Sequence, residues 1–232
     1  MSIVIGMAET QSSDTSLSGA AGRLTAEQRL REALLAGRLA PGHRLVETEL
    51  AEQFGVNRSS VHFALRALET DGLVERIPHR GARVRFVSIS EAVGILECRQ
   101  LLDGLITRKA AENATDQEAT LLDGNRRRMR DAIAGHDFVK YSDLIQEHHR
   151  LIRTIGRHPI ATAIEERLQW QIIRHQFRLS LRPERAEESL REIEAVVDAV
   201  IGHDPAEAEA ASHRHFRGVI AAVLREATKP VE

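Results

Sequence analysis

Apolar positions recur at helical spacing along almost the whole chain, with one short interruption where they alternate instead. Thr25 and Gln28 form a capping box that predicts a first helix, with Leu30, Leu34 and Leu35 as its apolar stripe and Gly37 as its stop. Pro41-Gly42 reads as a turn. A second helix is predicted from Glu47 to Phe54, ended by Gly55. Asn57 suits the N-cap of a third, Arg58 to Asp71, with Val61, Leu65 and Leu68 on its buried face and Gly72 closing it. The interruption follows: Leu73 to Ile77 and Ala82 to Val87 read as strands joined by Pro78-His79-Arg80-Gly81.

Beyond Val87 the pattern is helical to the end. Ser88 with Glu91 opens a new capping box, and helices are predicted at 89–113, 115–135, 137–156, 159–180, 184–202 and 205–227. Short Gly-, Pro- and Asn-containing breaks separate them, which implies antiparallel neighbours. The predicted fold is mainly α. An N-terminal winged helix-turn-helix (three helices plus a two-stranded wing) occupies residues 23–87. A C-terminal all-α antiparallel helical bundle occupies residues 88–228. Residues 1–22, rich in Ser, Thr and Gly, read as a disordered tail.

Net charge is −2, so overall charge favours no class of partner; its distribution does. From Arg58 to Phe86 six arginines face three acids, in the stretch predicted to form the third helix and the wing. Aromatic residues make up only 3% of the chain, which disfavours a stacking platform for single-stranded nucleic acid. No stretch is apolar enough to span a membrane, and the apolar run Ile3 to Ile5 is too short for a signal peptide. A cytoplasmic protein is expected. Cys98 is the one cysteine, so no internal disulfide can form; it reads as a small core residue.

A helix-turn-helix presents the first turns of its second helix to base edges in the major groove, while hydroxyls and N–H groups hold phosphate. Arg58, Ser59, Ser60 and His62 occupy those turns, Arg66 lies one turn further, and Thr48 sits at the start of the preceding helix. His79, Arg80 and Gly81 at the wing tip are placed to enter the adjacent minor groove. These residues are the expected DNA-binding set.

The run Gly37 to Leu39, Pro41-Gly42, Leu45, Glu47, Leu50-Ala51, Gly55-Val56-Asn57-Arg58, Val61, Ala64-Leu65, Leu68 and Gly72-Leu73-Val74 resembles the GntR family of bacterial transcription regulators. The resemblance makes Arg58 a DNA-contacting position. It also exposes two departures: the family's arginine and glutamate after Val61 are His62 and Phe63 here. The helical half resembles the FCD domain, the effector domain of one GntR subclass, through Arg99 to Asp103, Ala110-Ala111, His149 with Pro159, and Asp204 with His215. That resemblance implies a homodimer on a two-fold operator, and a small-molecule effector, here expected to be an organic acid.

Many FCD domains also hold a divalent metal through one Asp and three His. His149 and His215 match two of those positions, while Ile145 and Ile193 stand at the other two. A metal at His149 and His215 is therefore short of ligands. The expected effector-binding set is Arg99, His149, His215, Ile145, Ile193, Arg174 and His175. Arg99 is either a bidentate carboxylate anchor or an ordinary helix pair with Asp103. Arg174, His175 and Arg178 either line the same cavity, with Trp170, or form an outer or dimer face. Two other readings stand beside a ligand-responsive repressor: a constitutive regulator with a purely structural bundle, and a histidine-dependent metalloenzyme. The second rests only on eleven histidines, including the pair His148-His149, with no H-E-x-x-H motif.

Overall fold

The computed structural model describes residues 19–35, 38–77 and 81–227, with the backbone alone at 35, 173–177 and 227. The chain divides into two compact units, residues 1–84 and 85–232.

In the first unit, α1 (Gly19–Leu35) lies against α3 (Arg58–Thr70), with α2 (Glu47–Phe54) beside them. Helix α1 starts six residues earlier than the Thr25 capping box predicts, so residues 19–22 are helix and not tail. Ala20 and Ala21 are strong helix formers, and Arg23 Nε donates to Gly19 O, which carries the helix through Thr25. Leu30 and Leu34 are buried as expected; the side chain of Leu35 lies outside the described residues. Gly55 ends α2 in the left-handed region at φ 62°, and Asn57 caps α3 by accepting from Ser60 N at 2.8 Å. The wing has an additional strand. β1 (Arg44–Leu45) pairs antiparallel with β3 (Gly81–Val84), which also pairs with β2 (Val74–Ile77), giving the order β1-β3-β2. A two-residue strand carries no alternation to read, so its position emerges only from pairing. Leu45, Val74, Ala82 and Val84 point into the core with Val61, Leu65 and Leu68.

The second unit is all helix among the described residues: α4 (Ile89–Asn113), α5 (Asp116–Ala134), α6 (Phe138–Gly156), α7 (Pro159–Ser180), α8 (Pro183–Ile201) and α9 (Pro205–Ala227). Side chains cap most of these helices, while α8 begins on Pro183 without a side-chain cap. Ser88 accepts from Glu91 N, although the Glu91 carboxylate turns to Arg85 and leaves the box half made. Thr115 and Glu118 form a complete capping box on α5 that the sequence reading did not identify. Helix α4 is central and packs against α6, α7, α8 and α9. It buries Ala92, Ile95, Leu96, Arg99, Asp103, Ile106 and Ala110. Cys98 falls off that stripe and is exposed, which corrects its placement in the core. Gly156 brings α6 hard against α4, since a Cβ there would sit 2.6 Å from Ile106 O. No helix among the described residues is long and apolar enough to cross a membrane.

Candidate DNA interface and effector pocket

On the first unit, α3 begins with an exposed cation. Arg58 has 71% of its side chain exposed, and its Nε donates to Glu47 Oε2 at 2.9 Å. The other carboxylate oxygen, Oε1, lies 2.9 Å from His62 Nδ1. Glu47 thus clamps both residues. Partial burial would raise its carboxyl, but the hydrogen bonds from His62 and Arg58 outweigh that and hold it below the usual range. Ser59 Oγ donates to Asn57 Oδ1, and Arg66 is exposed further along α3. Ser60 differs from the expected set: it is 1% exposed, its N–H is used by the Asn57 cap, and its hydroxyl makes no hydrogen bond among the described residues. Phe63 is 48% exposed, with the Arg23 guanidinium 5.1 Å from its ring centre.

A concavity of about 320 Å³ runs between the helices and the sheet, lined by Arg44, Thr48, Arg58, Arg76 and Gly81 among others. Thr48 and Gly81 therefore share a surface with Arg58, as expected. Arg44 and Arg76 join it without having been singled out. Arg44 lies on the strand that the sequence pattern does not reveal. His79 and Arg80 lie outside the described residues.

In the helical unit a pocket of about 40 Å³ opens between α6, α7, α8 and α9. Its walls are Ser142, Ile145, Gln146 and His149 of α6, Leu179 and Ser180 of α7, Arg185 and Ser189 of α8, and His215 and Val219 of α9. The predicted pair is brought together, with His149 and His215 ring centres 6.0 Å apart. His148 stacks edge-on to His149 at 5.6 Å. Burial, with His215 nearby, pushes His148 down to about 3. Burial, His148 and Arg99 hold His149 well below the ordinary value, so both rings are neutral. His215 Nδ1 is 2.9 Å from Glu192 Oε2, the oxygen that also accepts from Arg185 Nη2 at 2.8 Å. Gly218 makes room for this carboxylate, because a Cβ there would meet Glu192 Oε1. Arg185 is 6% exposed, and its Nη1 makes no hydrogen bond among the described residues, the Glu188 carboxylate lying 3.6 Å away.

Two expectations for this unit are corrected. Arg99 neither lines the pocket nor bonds to Asp103. It is fully buried and donates through Nε and Nη2 to Glu165 of α7, at 3.0 and 2.6 Å. Arg153 donates to the other Glu165 oxygen at 2.9 Å and to Gln169 at 3.0 Å, and Gln169 donates to the pocket residue Gln146 at 2.5 Å. Asp103 accepts from Ser212 at 2.8 Å, and burial with Glu165 nearby raises its carboxyl. Ile193 is the second correction. Its side chain is buried in the main core cluster, whereas Ile145 does reach the pocket. Arg174 and His175 have no described side chains, and Arg178 lies in a separate depression with Ile89 and Val223.

The residues do not fit a metal. Among the described residues no three His, Cys, Asp or Glu side chains converge on a metal-sized site. His149 and His215 supply two ligands at most, His215 Nδ1 is already committed to Glu192, and Ile145 occupies a third place with hydrocarbon. Gln146 and His148 do not repair this: Gln146 is held by Gln169, and His148 Nδ1 is buried without a partner among the described residues.

A winged helix-turn-helix followed by an all-α domain with a half-open, mainly apolar pocket is the architecture of two-domain transcription regulators. Comparison with known proteins narrows it. Residues 23–84 match the bacterial regulatory proteins of the gntR family, and residues 94–218 match the FCD domain. The chain belongs to the gntR family and carries an FCD domain. It is 30% identical over 216 residues to the helix-turn-helix-type transcriptional repressor NanR of Enterobacter sp. (strain 638), covering 84% of this chain and 82% of that one. It is 29% identical over 126 residues to the regulator YdhC of Bacillus subtilis, covering 53% of this chain. The match thus spans about half of YdhC's length, 55%. Among solved structures, E. coli McbR/YncC shares the fold at a TM-score of 0.79 and 21% identity, over 91% of this chain and 100% of that one.

Proposed function

We propose that the protein is a homodimeric repressor that binds a two-fold operator and changes its affinity when a small organic acid enters the His149–His215 pocket. The observation that carries this is the exposed cationic start of α3, where one carboxylate, Glu47, holds Arg58 and His62 beside a trough lined by Arg44, Thr48 and Arg76. Arg58, Ser59, His62 and Arg66 meet base edges and phosphate, with Thr48 and the wing residues His79, Arg80 and Gly81 at the flanks. The buried Ser60 contributes through the α3 N-terminus and not through its hydroxyl. Relatives named as repressors support the sign of regulation.

Footprinting of captured genomic fragments at several salt concentrations tests the first half. A symmetric site of about 10–20 base pairs with a steep salt dependence is expected. Protection without symmetry or salt dependence would sink the reading.

The effector half of the proposal moves the anion anchor from Arg99, which is buried against Glu165 away from the pocket, to Arg185. Arg185 lines the pocket and has one terminal nitrogen free of hydrogen bonds among the described residues. Ser142, Ser189 and His149 complete the polar wall, while Ile145, Leu179 and Val219 receive a short apolar segment. No metal takes part. The volume has room for about three water-sized groups, which favours a compact acid. A panel of two- to four-carbon carboxylates is expected to contain one that raises the melting temperature of the wild-type chain. Arg185→Ala should weaken that ligand at least about tenfold. An unchanged response in the variant would rule Arg185 out as the anchor.

A further inference from the structure

His62 stands where the family pattern has an arginine, and its surroundings fix more than its position. Its Nδ1 lies 2.9 Å from Glu47 Oε1. The same carboxylate accepts from Arg58 Nε at 2.9 Å, and both contacts hold Glu47 ionised. An ionised carboxylate only accepts, so the hydrogen of this bond sits on His62 Nδ1. In a neutral imidazole that choice leaves Nε2 with a lone pair and no hydrogen. Nε2 makes no hydrogen bond among the described residues, and 39% of the side chain is exposed. The ring is braced from two sides, by Glu47 and by the edge-on Phe63 ring 6.0 Å away. The cations on the same face, Arg58 one turn before and Arg66 one turn after, are pure donors.

We infer that His62 reads an exocyclic amine in the major groove, cytosine N4 or adenine N6, with Glu47 as the positioning residue that sets its tautomer. The reading rests on the DNA-binding function proposed above. An arginine at the same place offers only donors and pairs with guanine O6 and N7. His62 in this tautomer offers only an acceptor. The hydrogen-bond polarity of that contact is therefore reversed, and guanine and thymine, which present acceptors there, are rejected.

The test is selection of binding sites from a pool of random-sequence duplexes by the full chain. It is run at pH 8. Wild type is expected to enrich an A·T or C·G pair at one position of each half-site by about tenfold, and His62→Arg fixes the strand that is read, because it places guanine where the amine stood. His62→Arg should move that position to guanine and leave the rest of the site unchanged. Glu47→Gln, which can donate to Nδ1 as well as accept from it, should flatten the preference to about twofold. Melting temperatures within a few degrees of wild type exclude misfolding as the cause. A site identical between wild type and His62→Arg, or an undiminished preference in Glu47→Gln, overturns the inference while leaving the regulator intact. If wild type enriches no sequence, the DNA-binding reading falls and the inference falls with it.

Discussion

Replacing Glu165 with leucine is expected to lower the stability of the helical unit by about 3–5 kcal/mol. Two arginines depend on this one carboxylate. Arg99 is fully buried and Arg153 is 9% exposed, and they take opposite oxygens of a Glu165 that is itself inaccessible. Without the glutamate two positive charges remain in the core. Arg99 keeps the Phe216 ring, 5.2 Å from its guanidinium carbon, with the buried Asp103 carboxyl nearby, and Arg153 keeps Gln169 and the half-exposed Glu166. Surface pairs such as Arg76–Glu69 offer a contrast, since solvent screens them and their loss costs well under about 1 kcal/mol. Urea unfolding followed by Trp170, the chain's single tryptophan and a residue of α7, reports this unit alone. The triple variant Arg99→Met, Glu165→Leu, Arg153→Met should recover most of the loss, because the cost lies in unpaired charge and not in missing attraction. A Glu165→Leu protein that unfolds within about 1 kcal/mol of wild type would show that water reaches the pair.

That buried triad also marks where sequence reading stops. The helices of the second unit were legible almost to the residue, because their ends are written locally in Ser88, Thr115, Pro159, Pro183 and Pro205. Turn and cap chemistry likewise placed α2, α3 and two of the wing's three strands. Arg99 looked like a free anchor or a partner of Asp103 because its real partner is 66 residues away on another helix, and no spacing rule reaches that far. The pocket shows both cases. His149 and His215 were found through the family pattern, whereas Ser142, Ser180, Arg185 and Ser189 come together only when three helices converge. For Arg185 a signal existed: it lies four and eight residues before Ser189 and Ile193, on the stripe that α8 buries. A charge in register with an apolar stripe is held by a partner or faces a cavity, and here it does both.

Arg58→Ala is expected to weaken operator binding by about 1–3 kcal/mol, roughly five- to more than a hundredfold. The loss should exceed that of any single contact, because the substitution also strips Glu47 of a counter-ion and leaves a carboxylate facing the phosphates. Arg58→Ala combined with Glu47→Ala should therefore bind better than Arg58→Ala alone at low salt, even though two interface residues are gone. Salt dependence then separates the two roles open to the arginine. If Arg58 clamps phosphate, its loss reduces the slope of log affinity against log salt by about one unit and penalises every sequence alike. If it forks to a guanine, the slope stays near its wild-type value and one base position loses its preference. Arg58→Lys sharpens the distinction, since an ammonium keeps the charge but cannot form the planar fork. Glu47 occupies Nε, so the terminal nitrogens Nη1 and Nη2 are the pair left to face DNA, a geometry matched to O6 and N7 of one guanine. The expected result is accordingly an unchanged slope with relaxed selectivity at a single base pair, adjacent to the position that His62 reads.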